Sequence, residues 1–320
     1  MKVVINGSIF FIQKNGGISR YLTNLFSALV KMKINIKIVA PIHKNVLLKN
    51  IKKGDKFSNY FSRFPNYFFL NQINNYLSKI SINSYKPDII HDSYYSEGLK
   101  NFKNIKKIVT IHDLIHEKFY SQYPINKKKE KQRIINITDH FICVSKSTRN
   151  DLIEYYDIKK KDTSVIYHGC DHFKNFTQEI SYKNKYGNFI LYVGSREKYK
   201  NFKILCDVFK KISPTKKINV VCFGGGHFKK KELPKFHKDM KFYQVNGSDK
   251  VLFNLYKNAL CYISTSLYEG FGIPAIEAMS LNCPVICSNI NVYKEVCGRA
   301  ALYFEPSNHK QIKKIILKLL

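Results

Sequence analysis

This 320-residue sequence is short of several things. No apolar run approaches the roughly 20 residues that a membrane-spanning helix requires. The N-terminus, Met1-Lys2-Val3-Val4-Ile5-Asn6-Gly7, lacks the apolar core of a secretory leader and reads as a short strand. These two absences predict a cytoplasmic protein. The 8 cysteines (143, 170, 206, 222, 261, 283, 287 and 297) include no Cys-x-x-Cys pair and sit mostly in apolar runs. That pattern predicts reduced core thiols and argues against a zinc site. Acidic residues are also scarce, 23 against 54 lysines and arginines.

The resulting net charge of +31 narrows the partners. Nucleic-acid binding would focus basic residues beside aromatic platforms. Here tracts such as Lys127-Lys128-Lys129, Lys159-Lys160-Lys161 and Lys229-Lys230-Lys231 are spread along the whole chain. That spread argues against nucleic acid as a partner. A generally lysine-rich composition and attraction to an anionic membrane surface both remain open.

The length suits two hydrophobic cores. Apolar runs at 2–6, 34–39, 87–91, 108–113 and 141–144 alternate with helical patterns at 19–32 and, capped by Ser145, up to Tyr156. Gly7 to Gly17 reads as a loop, and 43–86 as less regular. Within it, Tyr60 to Leu70 mixes aromatic and basic residues. Helical packing is the first reading, and a surface for a lipid-linked partner or a bilayer the second. Val165 to Asp171 closes the first half. Residues 173–187 are polar and aperiodic, a linker between domains 1–172 and 188–320. The alternation restarts with strands at 189–194, 219–223, 242–245, 259–263 and 285–288 and ends in an amphipathic helix, 311–320. The predicted class is α/β, two doubly wound domains.

Strand ends carry the ligands in such sheets. Gly16-Gly17 opens a helix soon after the first strand, where backbone can approach a phosphate. His112-Asp113 ends another strand, with an acid beside the imidazole to orient it. Gly194 ends the first strand of the second half. It leads into Ser195-Arg196-Glu197-Lys198-Tyr199-Lys200-Asn201, which sets cations before a helix N-terminus. The densest signal is Ser266-Leu267-Tyr268-Glu269-Gly270-Phe271-Gly272-Ile273-Pro274-Ala275-Ile276-Glu277-Ala278-Met279. Its glycines permit close backbone approach, Pro274 starts a helix, and Asn282 before Cys283-Pro284 ends it. Free N–H groups and a positive helix end then suit an anion such as a diphosphate. Glu269 and Glu277, seven residues intervening, can accept hydrogen bonds from vicinal hydroxyls. By spacing alone, a solvated loop glutamate and a helix glutamate explain them equally well.

The whole string resembles the signature of retaining, nucleotide-sugar-dependent glycosyltransferases of family 4, with its Glu, seven residues, Glu hallmark. The first domain's Gly-Gly-x-x-Arg-Tyr is similar to a family loop. So are His-Asp at 112–113, the 145–148 segment, the Lys200-Asn201 element, and the closing Glu-Val-x-Gly and Tyr-Phe-x-Pro elements. Among these relatives the motifs lie closest to bacterial-type mannosyltransferases of surface polysaccharide synthesis. At 168–171 the sequence has His-Gly-Cys-Asp where relatives usually have Asn-Gly-Val-Asp.

The resemblance implies the GT-B fold, two Rossmann-like domains facing across a cleft. It implies that Glu269 contacts the donor sugar, that Glu277 contacts ribose, and that the amides of Gly270, Phe271 and Gly272 hold sugar and phosphate. It implies Lys200, with Arg196 as a second cation, on the diphosphate. His112, and more weakly Asp113, would lie beside the sugar, and Gly16 and Gly17 would face the cleft. Family chains usually continue into a helix that crosses back onto the first domain.

The expected activity is transfer of a hexose, mannose first, from a GDP- or UDP-sugar to a glycan or lipid-linked acceptor hydroxyl. No cofactor is expected. No metal is expected either, because no Asp-x-Asp stands where it could hold one on the diphosphate. Peripheral contact with an anionic membrane, at the inner face of the cytoplasmic membrane, accompanies this reading. The alternatives are a GT-B sugar-nucleotide epimerase or hydrolase, and a non-catalytic basic protein binding membrane or nucleic acid.

Overall fold

The computed structural model describes residues 1–52, 56–62, 67–92, 102, 104–119, 121, 125–177, 180–212, 218–229, 232–233 and 241–318, with backbone alone for 67 and 125–128. The chain forms two compact units, Met1–Tyr167 and His168–Leu320.

In the first unit the elements are β1 (Lys2–Asn6), α1 (Ser8–Ile12), α2 (Gly17–Lys31), β2 (Asn35–His43), α3 (Val46–Lys49), β3 (Lys56–Tyr60), α4 (Tyr67–Tyr85), β4 (Ile89–Asp92), β5 (Lys106–Ile111), α5 (Ile115–Lys118), α6 (Ile125–Ile135), β6 (His140–Cys143), α7 (Lys146–Tyr156) and β7 (Thr163–Val165). Among the described residues the strands pair in the order β3-β2-β1-β4-β5-β6-β7, every pairing parallel. Val3, Ile5, Ile36 and Ile38 pack against Ile9, Phe10, Leu22 and Phe26 to make one core.

The second unit holds α8 (Lys183–Tyr186), β8 (Asn188–Val193), α9 (Phe202–Phe209), β9 (Ile218–Phe223), β10 (Phe242–Val245), α10 (Asp249–Asn258), β11 (Cys261–Ser264), α11 (Ile273–Ser280), β12 (Val285–Ser288), α12 (Asn291–Cys297), β13 (Ala301–Phe304) and α13 (His309–Lys318). Its described sheet runs β10-β9-β8-β11-β12-β13, again parallel throughout. Successive strand residues face opposite sides. Ile190, Cys261, Ile263 and Ile286 therefore join the core under α9 and α13. Phe189, Leu191, Tyr262, Val285 and Cys287 join the one under α10, α11 and α12. Burial on both faces explains why these strands read as continuous apolar runs.

Each sheet reverses its winding once, at β1/β4 and at β8/β11. The carboxyl ends of those strands are where an open α/β sheet leaves a crevice. They deliver Gly16-Gly17, Gly194 and the 264–272 loop.

Several expectations change. Gly7 to Gly17 is not simply a loop: α1 buries Ile9, Phe10 and Phe11 within it. The irregular 43–86 region contains edge strand β3 and the 19-residue α4. Within the aromatic-basic stretch, 63–66 lie outside the described residues, while Phe61, Phe68 and Phe69 are 47%, 73% and 59% exposed. Core packing does not account for them. The expected linker also belongs to a core. Phe173 and Tyr186 are buried among second-unit residues, so the unit boundary falls at 167/168. Of the stretch expected to close the first half, Val165 to Asp171, only Val165 belongs to a strand, as the last residue of β7. The cysteines are free thiols, all buried except the half-buried Cys170. No described helix is long and apolar enough to cross a membrane.

Candidate functional site

The centre of the second unit's site is Glu269, in the loop between β11 and α11. Its Oε1 accepts from Lys200 Nζ at 2.6 Å, from Ser266 Oγ at 2.6 Å and from Tyr293 OH at 3.4 Å. All donors found among the described residues converge on Oε1. Oε2 keeps its acceptor capacity. Tyr293 OH also lies 2.5 Å from Ser264 Oγ, and Ser264 Oγ lies 3.2 Å from Ser266 Oγ. Burial, and then the Glu269 charge, push the Tyr293 phenol well above its ordinary value of 10, so it stays a donor.

Local sequence explains the loop. Gly272 has φ +89°, and a Cβ there would lie 2.5 Å from Tyr293 Cε1, so only glycine lets the chain pass this ring. Helix α11 begins at Ile273, which makes Pro274 its second residue. It ends where Asn282 adopts φ 58°, as the cap pattern predicts.

The cationic loop after β8 is bolted to this one by its backbone. Leu267 N–H donates to Tyr199 O at 2.8 Å, and Thr265 Oγ1 donates to Lys200 O at 2.8 Å. These bonds bring Lys200 to Glu269 across 69 residues of sequence. Gly194 opens the loop at φ +119°. Arg196, expected as a second cation on an anion, has another task. Its Nε reaches Glu232 Oε1 at 2.5 Å, and Nη1 reaches Gln244 Oε1 at 2.8 Å and Gly224 O at 3.2 Å. Nη2 reaches the carbonyls of Gly225, Gly226 and His227 at 3.3, 2.8 and 3.2 Å. The guanidinium holds together the turn of Gly224-Gly225-Gly226, whose φ values are all positive. A fork with five N–H donors is suited to that, and the same donors are no longer open to a phosphate.

Glu277 lies on α11 and is 7% exposed. Tyr256 OH donates to its Oε2 at 2.9 Å, and His172 Nε2 lies 2.9 Å from its Oε1. Phe271 is buried, with its ring edge-on to His168 at 5.1 Å. Burial lowers the His168 pKa to about 4, so its imidazole is neutral at pH 7. Sequence reasoning missed Tyr293, Tyr256 and His172, and gave Ser266 no role. Only Ser266 lies inside a recognisable motif, and Tyr293 stands two residues ahead of the closing Glu-Val-x-Gly.

In the first unit, Gly16 ends the approach to α2, and its carbonyl accepts from Ser19 Oγ at 2.9 Å. Gly17 has no atom within 4 Å of where a side chain would begin. His112 follows β5 and meets the Tyr21 ring edge-on at 5.1 Å. Thr110 Oγ1 ties Tyr21 OH, at 3.0 Å, to His91 Nε2, at 2.8 Å. Burial lowers the His91 pKa to about 4. Asp113, expected to orient His112, instead accepts from Ile115 N–H at 3.1 Å, which starts α5.

Two family descriptions match this chain. Glycosyltransferase Family 4 covers residues 15–173, and Glycosyl transferases group 1 covers residues 173–320. The O-antigen chain mannosyltransferase RfbU of Salmonella typhimurium is 29% identical over 216 residues, which is 65% of this chain and 59% of that protein. Sucrose-phosphate synthase from Thermosynechococcus elongatus is similar in fold, with TM-score 0.76 at 17% identity, over 99% of this chain and 89% of that one. Anabaena HepE in complex with UDP and glucose gives TM-score 0.73 at 14% identity, over 99% and 89%. With its two matches meeting at residue 173, the chain belongs to the glycosyltransferases of family 4 and group 1 and has their GT-B fold of two Rossmann-like domains.

Proposed function

We propose that this chain is a retaining hexosyltransferase that moves mannose from GDP-mannose to the hydroxyl of a glycan or lipid-linked acceptor. The observation that carries this is the Glu269 carboxylate. Lys200, Ser266 and Tyr293 fix its Oε1 at the start of α11, and Oε2 keeps its capacity to accept from a sugar hydroxyl. Lys200 Nζ spends one of its three protons on Glu269. The other two, with the α11 N–H groups, suit the charge that develops on a departing diphosphate. The bond from the anomeric carbon to the diphosphate oxygen breaks, and the diphosphate leaves with the electron pair. The acceptor oxygen bonds the same face of the carbon, and its proton passes to the leaving phosphate. Glu269 orients the sugar, Glu277 accepts from the ribose hydroxyls, and no metal takes part. The similarity to mannosyltransferases such as RfbU supports mannose. UDP-sugars are the second choice, supported by UDP in the similarly folded HepE complex.

The reaction is placed at the cytoplasmic face of a membrane. Supporting this, Phe68, Phe69, Tyr76 and Ile80 of α4 are exposed, and the helix carries no acidic residue.

The test incubates purified protein with GDP-mannose, UDP-glucose or a UDP-N-acetylhexosamine, a lipid-linked acceptor, and EDTA. Transfer with the donor's anomeric configuration retained, read by NMR of the product, is the expected result. Donor consumption with no glycosylated acceptor would instead identify an epimerase or hydrolase.

A further inference from the structure

We infer that His172 is a positioning residue for Glu277, setting the carboxylate so that its remaining lone pairs meet both hydroxyls of the donor's ribose. The inference rests on the ribose role of Glu277 given above.

A carboxylate at the end of a glutamate side chain has a broad terminal torsion. Here two groups from distant parts of the chain define it. Tyr256 OH holds Oε2 at 2.9 Å and also approaches Pro274 O at 3.1 Å. His172 Nε2 holds Oε1 at 2.9 Å, with both side chains largely buried, 14% and 9% exposed. A ring nitrogen and a carboxylate oxygen at this distance share a hydrogen, and a carboxylate only accepts, so His172 Nε2 is the donor. An ionised carboxylate has about four acceptor positions. The two clamps use one on each oxygen. One on each oxygen is left, which matches a vicinal diol.

The imidazole is itself held in place. Its ring centroid lies 4.1 Å from that of Phe173, and Phe173 is 3% exposed in the second-unit core. Both residues belong to the single 3-10 turn Asp171–Phe173. A few residues earlier, His168 meets Phe271, next to the start of α11. The segment that begins the second unit is thereby registered on both the loop and the helix of the site. This explains why a stretch with the composition of a linker is ordered against the core.

The experiment titrates the purified full chain with GDP and UDP, and with their 2′,3′-dideoxy analogues, by calorimetry. Wild type should prefer the hydroxyl-bearing ligand. In His172→Ala, affinity for that ligand should fall about tenfold, the scale of one charge-assisted hydrogen bond. Affinity for the dideoxy ligand should hardly move, so discrimination between the two is lost. His172→Gln, whose amide N–H can reach the same oxygen, should restore it. In transfer assays the donor KM of His172→Ala should rise with kcat unchanged. A wild type that discriminates, with a folded His172→Ala that discriminates equally well, overturns the inference alone. A wild type that binds both ligands equally overturns the ribose role of Glu277, and the inference with it.

Discussion

Lys200 and Glu269 share one short contact, 2.6 Å between Nζ and Oε1, with 18% and 14% of their side chains exposed. Removing either one strands the other in a poorly solvated place. Lys200→Ala should leave Glu269 held by Ser266 and Tyr293, so the fold survives while the diphosphate loses its cation. Removing one charge-stabilising donor typically costs a factor of about 100 to 1,000 in kcat. Steady-state transfer assays should show a loss of that size for Lys200→Ala, and a comparable one for Glu269→Gln. Circular dichroism should show both variants folded. Full activity in Lys200→Ala would remove the diphosphate role. The same scale explains Arg196. A guanidinium that already donates to Glu232, Gln244 and three consecutive glycine-turn carbonyls is worth more to the loop than to a ligand.

At the scale of elements, the two short helices that follow β5 are locked by an ion pair that solvent hardly reaches. Lys131 Nζ on α6 lies 2.8 Å from Glu117 Oε2 on α5, with 1% and 0% exposure. Tyr156 OH on α7 donates to the other oxygen at 2.5 Å. Lys131 also donates to Asp113 O at 3.3 Å, immediately after His112. Breaking a buried pair from one side leaves an uncompensated charge and costs about 3–5 kcal/mol. Lys131→Met should destabilise by that order in urea unfolding. The double variant Lys131→Met with Glu117→Leu should recover part of the loss, since an apolar replacement of both partners leaves no charge behind. Equal loss in single and double variants would show that packing, not charge, holds α5 to α6.

At the scale of the whole molecule, buried histidines and an excess of lysine set the response to solution conditions. His91 keeps a folded pKa of about 4 against an ordinary 6.5, because burial disfavours its charged form. Between those values the unfolded chain binds more protons than the folded one, so stability rises with pH. The contribution is complete above about pH 6.5 and is lost as pH falls towards 4. From pH 6.5 to 5 it amounts to about 2 kcal/mol for this residue. His43, held down to about 4 by burial and by Lys56, and His168, by burial, act in the same direction. Denaturant midpoints should therefore fall between pH 7 and pH 5, and His91→Gln should flatten part of the slope. A flat profile in wild type would contradict the burial of these rings. The charge excess is steepest early in the chain: residues 1–87 contain a single acidic residue, Asp55, among many lysines. Sedimentation with vesicles of anionic lipid should show binding at 50 mM salt that weakens strongly by 500 mM, as screening shortens the reach of exposed charges. Replacing Phe68 and Phe69 by serine should weaken what remains at high salt. Binding insensitive to salt would argue against an electrostatic attraction.

How much of this was legible in the sequence follows from what is local. Apolar runs of strand length, each feeding a helix, already specify two parallel α/β sheets, because strands buried on both faces leave an unmistakable pattern. The Glu269 to Glu277 string, with Gly272 and Pro274 inside it, carries its own turn, cap and helix start. These depend on bonds within a few residues and survive reading one letter at a time. Partnerships do not. Glu269 meets Lys200 and Tyr293, Glu277 meets Tyr256 and His172, and Arg196 turns from an anion to a ring of carbonyls. Each of those contacts joins segments far apart in sequence, and only the order in which the strands assemble brings them within hydrogen-bond reach. Residues 173–187 show the same limit: polar composition predicts a free linker, but Phe173 and Tyr186 find a core that exists only after the second sheet has formed.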